Sequence, residues 1–496
     1  MIGTLLMAAA AVTCESLTAL RLPDVRITEA TAVAARPEAK IGAKVAHCRV
    51  AGVIGREIRF MVLLPTEWNR RFLMGGGGGF VGAVATPVEE VNAGYATGGT
   101  DTGHQGSGIQ AGWALGNLER QLNYGHLAIH RTTEVAKAVI RGYYGTDAEK
   151  SYFSGCSNGG RQAMMEAERY PEDFDGIVAG APAFDFTNIA TSFIRNTKAA
   201  FPNASQLSPL VTPELLKLLE TKVLEACDAK DGVSDGVIED PRDCRFDLTK
   251  IAACPIAKPA ANCLTKTQRA VIAAIYSATE DRAGRVYPGQ PFGGEGQNGG
   301  WMDWITGGGG LTRAVGSPSV PSAQYAFGTE FFKYLVFQDS TWDYTKYDVA
   351  NARRDTRFTR TFLNADDPDL SAFTGRGGKL IIWHGWADAA LNALSTIGFY
   401  DGMTAKAPGL SDKARLFLLP GVLHCAGGAG PDRVDWVKTI STWVEKGSAP
   451  DRLTASKLGD DGKPTRTRPV CAYPARATYL GKGSSDDEAN FACKAS

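Results

Sequence analysis

Neither sign of charge is in excess in this 496-residue chain: 53 Lys and Arg stand against 53 Asp and Glu. With no basic surplus there is nothing to release counterions from a phosphate backbone, which excludes nucleic-acid binding as a function class. Long apolar runs are missing too. Residues 2–13 (IGTLLMAAAAVT) fall short of the ~20 residues that a bilayer-spanning helix requires. No C-x-x-C pair suggests a zinc or redox motif, and no internal repeat or low-complexity linker is present. What the chain does have is 44% hydrophobic against 21% charged residues, enough to bury a large core, and a length that suits two or three compact units. Glycine is plentiful, at 57 residues, and clusters at Gly75–Gly79 and Gly307–Gly310.

Ten cysteines sit at 14, 48, 156, 227, 244, 254, 263, 425, 471 and 493. An even count with the local spacings 227/244, 254/263 and 471/493 reads as a disulfide framework, hence an exported protein, secreted or periplasmic. Residues 2–13 have the apolar and small residues of a signal peptide, but no positive residue precedes Glu15, so a truncated or misassigned start is expected. Cys14 could be read as an acylation site. That would leave nine cysteines and one without a partner, so a disulfide is preferred, with Cys48 the nearest partner.

Apolar runs at Ile58–Pro65, Phe72–Met74, Tyr152–Ser154, Gly176–Gly180, Lys379–Trp383 and Arg415–Leu419 predict strands. Helical spacing over 123–144, 161–170 and 432–446 predicts helices between them. Such alternation implies a largely parallel sheet and an α/β fold. Between about 185 and 375 the alternation dissolves into a segment rich in Trp, Phe and Tyr. The expected organisation is an α/β domain, 15–184 and 376–496, interrupted by an inserted domain, 185–375.

Gly155-Cys156-Ser157-Asn158-Gly159 matches G-x-S-x-G, in which small neighbours permit a strained strand-to-helix turn that pushes the serine hydroxyl outward. A second match, Gly232–Gly236 around Ser234, lies among aspartates with no helix behind it, so Ser157 is the expected nucleophile. A serine needs a base and the base an orienting acid. His424 and Asp388 both lie just beyond predicted strands, and the order Ser157, Asp388, His424 is that of α/β hydrolases. Asp432, a rival acid, reads better as a helix N-cap. His104 and His384 read as structural or pocket groups. The oxyanion hole would take the N–H of Asn158 and one from the glycine run, Gly79. Gly77, Gly79 and Gly82 also spell a dinucleotide fingerprint, but Pro87 denies it the helix it requires; no organic cofactor is expected.

Cys156 precedes the candidate nucleophile and Cys425 follows the candidate base. If Ser157 and His424 meet in space, a Cys156–Cys425 bond would tether the two loops. Asp228, Asp231 and Asp235, with carbonyls near Val233 and Val237, offer enough hard oxygen atoms for Ca²⁺, although the spacing is not that of an EF-hand and a solvated acidic turn is the alternative. His126 and His130 lack the Glu of H-E-x-x-H, which disfavours zinc.

Gly155-Cys-Ser-Asn-Gly-Gly-Arg161, Trp383-His-Gly-Trp-Ala-Asp388, His424-Cys425, Tyr95–His104 and the aspartate loop 228–237 together resemble the tannase and feruloyl esterase family. The resemblance spans Cys48 to Cys493. It implies an α/β-hydrolase core with a lid inserted between the strands that carry Ser157 and Asp388. It also implies a disulfide between the Cys-Ser and His-Cys pairs, and a structural Ca²⁺ held by Asp228, Asp231, Val233, Asp235 and Val237. Family substrates are small esters of aromatic acids: hydroxycinnamates, gallates and, in one branch, mono(2-hydroxyethyl) terephthalate. A terephthalate carboxylate calls for an Arg in the pocket. Ser322–Phe337, expected to line it, offers Tyr325, Phe327 and Phe331 but no Arg, and Leu391 adds an apolar wall. A feruloyl esterase is therefore expected first, a tannase second and a terephthalate monoester hydrolase third. A catalytically silent ligand-binding protein is disfavoured by the intact serine, acid and histidine set.

Overall fold

The computed structural model describes residues 12–255, 260–310, 320–407 and 409–495, so most of the apolar N-terminal segment lies outside the described residues. Its strands run β1 (Val25–Val33), β2 (His47–Ile54), β3 (Ile58–Pro65), β4 (Arg71–Gly75), β5 (Ala96–Thr100), β6 (Lys150–Cys156), β7 (Gly176–Gly180), β8 (Thr279–Asp281), β9 (Gly284–Tyr287), β10 (Lys379–Gly385) and β11 (Ala414–Leu419). Nine of them form one sheet in the order β1-β2-β3-β5-β4-β6-β7-β10-β11. The first three pair antiparallel, β3 is antiparallel to β5, and from β5 to β11 every pairing is parallel.

The central parallel strands are buried on both faces, which is why they read as unbroken apolar runs. One face packs Phe153, Ile177 and Ile382 against the helices Ala128–Tyr144, Asn158–Arg169 and Ala393–Lys406. The other packs Tyr152, Val178, Ile381 and Trp383 against Ile440 and Trp443 of the helix Trp436–Lys446. That helix is capped by Asp435, whose carboxylate accepts the Lys438 N–H at 3.0 Å, and not by Asp432 as the sequence suggests. Asp432 instead accepts the N–H of Gly427 at 2.8 Å.

Between β7 and β10 no described residue joins this sheet. The insertion is mostly helical, with the small β8–β9 hairpin, and has its own core around Leu216, Leu219, Ile272 and Trp301. A second core is shared: Phe331, Phe332 and Phe362 of the insertion pack with Phe80 and Tyr124 from the sheet's loops. Disulfides Cys227–Cys244 and Cys254–Cys263 close short loops in the insertion, and Cys14–Cys48 ties the N-terminal segment to β2. Cys471–Cys493 joins two further antiparallel strand pairs at the C-terminal end, Arg452–Leu458 with Pro464–Cys471 and Arg476–Tyr479 with Phe491–Lys494.

Candidate active site

Ser157 stands between β6 and the helix Asn158–Arg169 with φ 64° and ψ −123°, a conformation that L-residues avoid. The turn closes because its neighbours are glycine. A Cβ on Gly155 would meet the Gly159 backbone at 2.7 Å, and one on Gly160 would lie 2.3 Å from the Gly180 carbonyl oxygen. The Ser157 N–H donates to that same Gly180 carbonyl at 3.0 Å, which fixes the turn to β7. Ser234, in the second G-x-S-x-G, lies exposed in an irregular turn.

Asp388 follows β10 and is 1% exposed. One carboxylate oxygen accepts the N–H groups of Ala390 and Leu391, both at 2.8 Å; the other lies 2.7 Å from His424 Nδ1 and 3.3 Å from His384 Nε2. Burial alone would raise this carboxyl. The charge of His424 and hydrogen bonds from His384 and His424 outweigh burial and hold Asp388 well below the usual carboxylate range, so it stays ionised. His384 is thereby a support of the acid, its Nδ1 2.8 Å from the Thr396 hydroxyl.

His424 lies on the loop after β11. Cys425 beside it has φ 64° and is disulfide-bonded to Cys156, with Cα atoms 5.9 Å apart. Lys457 donates to the Gly428 carbonyl at 2.6 Å, and Trp304 sets its ring against the imidazole, centroids 4.9 Å apart.

Ser157, His424, Asn158 and Gly79 open on one cleft of about 460 Å³, its mouth included. The rest of its wall is apolar: Phe186, Ile189, Ala190 and Phe193 from the helix after β7, Trp304, Phe327 and Leu391. Two expected pocket residues lie elsewhere. Residues two apart on a helix point to opposite sides, so Phe327 reaches the cleft while Tyr325 packs against Phe201 and Tyr344. Phe331, one turn further on, is fully buried against Phe186, behind the wall. The helix Phe186–Ala200 was missed as a pocket wall, although its apolar positions 186, 189, 190 and 193 follow helical spacing.

The glycine run after β4 enters no helix, and Asp101 is occupied by the N–H groups of Arg59 and Gly103. His104 is buried, stacked on Trp113 with centroids 3.8 Å apart, and burial pushes it down to about 4. His126 Nδ1 meets the Tyr170 hydroxyl at 2.6 Å and His130 Nδ1 the Asp173 carboxylate at 2.7 Å, so the two rings hydrogen-bond to different partners although His130 also stacks on Tyr170. Among the described residues, metal-capable side chains gather at His130, Glu166 and Asp173. Lys137 stands beside that cluster, donating to the Asp173 backbone carbonyl at 2.5 Å with its ammonium 4.0 Å from the Asp173 carboxylate. In the aspartate loop, Asp228 accepts the N–H groups of Asp235 and Gly236, Asp231 those of Val233 and Glu239, and Asp235 that of Val237. Asp235 also pairs with Arg468.

The sheet order and the sharp turn at Ser157 are those of an α/β hydrolase. The sequence pattern of the tannase and feruloyl esterase family matches residues 43–494. Mono(2-hydroxyethyl) terephthalate hydrolase of Piscinibacter sakaiensis is 33% identical, over 90% of this chain and 85% of its own length. The crystal structure of feruloyl esterase B from Aspergillus oryzae superposes with a TM-score of 0.86 at 28% identity, covering 97% of this chain and 99% of the other. Tannin acyl hydrolase from Aspergillus niger shares the fold, with a TM-score of 0.73 at 22% identity over 96% of this chain and 92% of its own. The chain belongs to the tannase and feruloyl esterase family and is a feruloyl esterase-like carboxylic ester hydrolase.

Proposed function

We propose that the protein hydrolyses small esters of hydroxycinnamic acids through an acyl-enzyme on Ser157. His424 takes the serine proton as the hydroxyl attacks the ester carbonyl, and returns it to the leaving alcohol. Asp388 fixes the imidazole tautomer and stabilises the imidazolium. Asn158 is the first residue of its helix, so its N–H has no intrahelical acceptor. With the Gly79 N–H it would hold the developing oxyanion. Water, activated by the same histidine, then releases the acid. The observation that carries this reading is the 2.7 Å Asp388–His424 pair, with His424 and Ser157 lining one apolar cleft.

An apolar wall suits an aromatic acyl group. Of the described residues lining the cleft none is Lys or Arg, which speaks against a terephthalate carboxylate, and few polar groups are at hand for the three hydroxyls of a gallate. Residues 185–375 would act as a lid, since Trp304 and Phe327 reach the cleft from it. The aspartate loop would hold a structural Ca²⁺. Three carboxylates are the hard oxygen donors such a cation takes, and burial above all, with repulsion from Asp235 and Asp228 added, pushes Asp231 up to about 6, which supports a cation there. Five disulfides support secretion or a periplasmic location. No helix among the described residues is long and apolar enough to cross a membrane. The test is a hydrolysis panel of methyl ferulate, methyl gallate and mono(2-hydroxyethyl) terephthalate. The highest kcat/KM is expected on ferulate, and a higher value on either of the others would refute the assignment.

A further inference from the structure

We propose that Tyr124 and Arg161 are positioning residues that set the distance between the two oxyanion donors, Gly79 and Asn158. The proposal rests on the nucleophile and oxyanion assignment above. Arg161 lies on the helix behind Ser157 and is fully buried. Among the described residues no carboxylate pairs with it. Nε donates to Asn158 Oδ1 at 2.8 Å, Nη1 to the carbonyls of Gly125 and Leu363 at 2.7 and 3.2 Å, and Nη2 to the Tyr124 carbonyl at 2.9 Å. A buried guanidinium without an anion is a costly way to hold neutral acceptors, so its value to the protein lies in what it orients.

What it orients is Tyr124 and Asn158. The guanidinium lies 5.0 Å over the Tyr124 ring, and Tyr124 sits in a π-helical turn, Asn123–Leu127, a feature that recurs at functional sites. The Tyr124 hydroxyl is 3.1 Å from the Gly79 carbonyl oxygen and 3.0 Å from Asn158 Oδ1, and its one proton serves both acceptors. Asn158 Nδ2 donates to the Gly77 carbonyl at 3.0 Å, and the Gly77 N–H donates to Gln162 at 2.9 Å. The glycine loop has no side chain with which to hold itself; a Cβ on Gly79 would lie 2.3 Å from the Gly108 oxygen. It is instead gripped at the Gly77 carbonyl and N–H by the helix that carries the other donor, and at the Gly79 carbonyl by Tyr124. An oxyanion hole works because its donors are placed before charge develops.

Tyr124→Phe removes only the hydroxyl. Its kcat on methyl ferulate should fall roughly 10–100-fold with KM within about twofold, less than the ~10²–10³ that follows loss of a donor itself. Inhibition by phenylboronic acid, which forms a tetrahedral adduct, should weaken by the same factor as kcat/KM, while inhibition by ferulate stays unchanged. Asn158→Ala should lose activity in the same way, and the double variant should be no worse than the poorer single one. An unchanged kcat in Tyr124→Phe, a rise confined to KM, or additive losses in the double variant would overturn the proposal. Ser157→Ala separates the two levels. If it keeps its activity, the underlying assignment fails; if it is inactive while Tyr124→Phe is normal, only the positioning role fails.

Discussion

Replacing Cys156 and Cys425 together by alanine should damage turnover far more than it damages the fold. The bond closes a loop with a sequence separation of 269 residues, which the chain-entropy treatment values at about 5–6 kcal/mol. At an unfolding entropy of ~2.1 cal/mol/K per residue, that amounts to a fall in Tm of about 5 °C for a chain of this length. The Cys471–Cys493 loop, with a separation of 22, gives about 3 kcal/mol by the same treatment and about 3 °C. Thermally, then, the two deletions should look alike. Catalytically they should not. Ser157 and Cys425 both have φ 64°, a strain of order 1–3 kcal/mol at each position that only the surroundings maintain. Without the bond, residue 425 is free to relax and carry His424 with it, and a shift of ~1 Å at a reacting group costs on the order of 10²-fold in rate. Steady-state hydrolysis of methyl ferulate at 25 °C should show kcat down about 10–100-fold with KM little changed, and wild-type kcat in the 471/493 double variant. A folded Cys156→Ala/Cys425→Ala protein with wild-type kcat would refute the reasoning.

Exhaustive chelation should lower Tm and reduce activity, because Val237 packs against the site of Gly421, three residues before His424; an unchanged melting curve, with no Ca²⁺ found by elemental analysis, would eliminate the metal site. Glu166 offers a pH test. Burial, then the nearby Asp173 carboxylate, raises its carboxyl well above the ordinary range, so the folded state holds a proton that the unfolded state releases near pH 4.3. Stability therefore falls as pH rises from there towards the folded value. Glu166→Gln removes the term, so the variant should gain on wild type in Tm as pH rises from 5 to 8, and a constant difference would contradict the shift.

Much of the sheet was legible because β6, β7, β10 and β11 are buried on both faces and so are written as apolar runs. β5, Ala96–Thr100, was not. Its Ala-Thr-Gly-Gly-Thr sequence argues against a strand, yet all five residues are buried, and a Cβ on Gly99 would lie 2.0 Å from the Ala85 oxygen. There close approach of the backbone overrides propensity. The Asp435 cap was hidden because Asp432 and Asp435 both precede the apolar helical run, and only the fold shows that Asp432 is taken by the Gly427 N–H, leaving the cap to Asp435. The candidate site was readable as three short motifs, since a nucleophile turn, an acid and a histidine each impose local residue choices. The acyl wall was not. Its side chains come from the helix Phe186–Ala200 and from Trp304, and nothing local distinguishes an apolar residue facing a cleft from one facing a core. Arg161 was visible only as a letter in a motif, because its role depends on carbonyls supplied from Tyr124, Gly125 and Leu363.

The central claim is that Ser157 is acylated during turnover. Incubation with a fluorophosphonate, followed by mass-spectrometric peptide mapping, tests it directly, because the reagent marks the serine that the site activates. One adduct per chain, on the peptide that holds Ser157 and with activity lost in proportion to labelling, is the expected result. An adduct on Ser234, or full inhibition with Ser157 unmodified, would contradict the account.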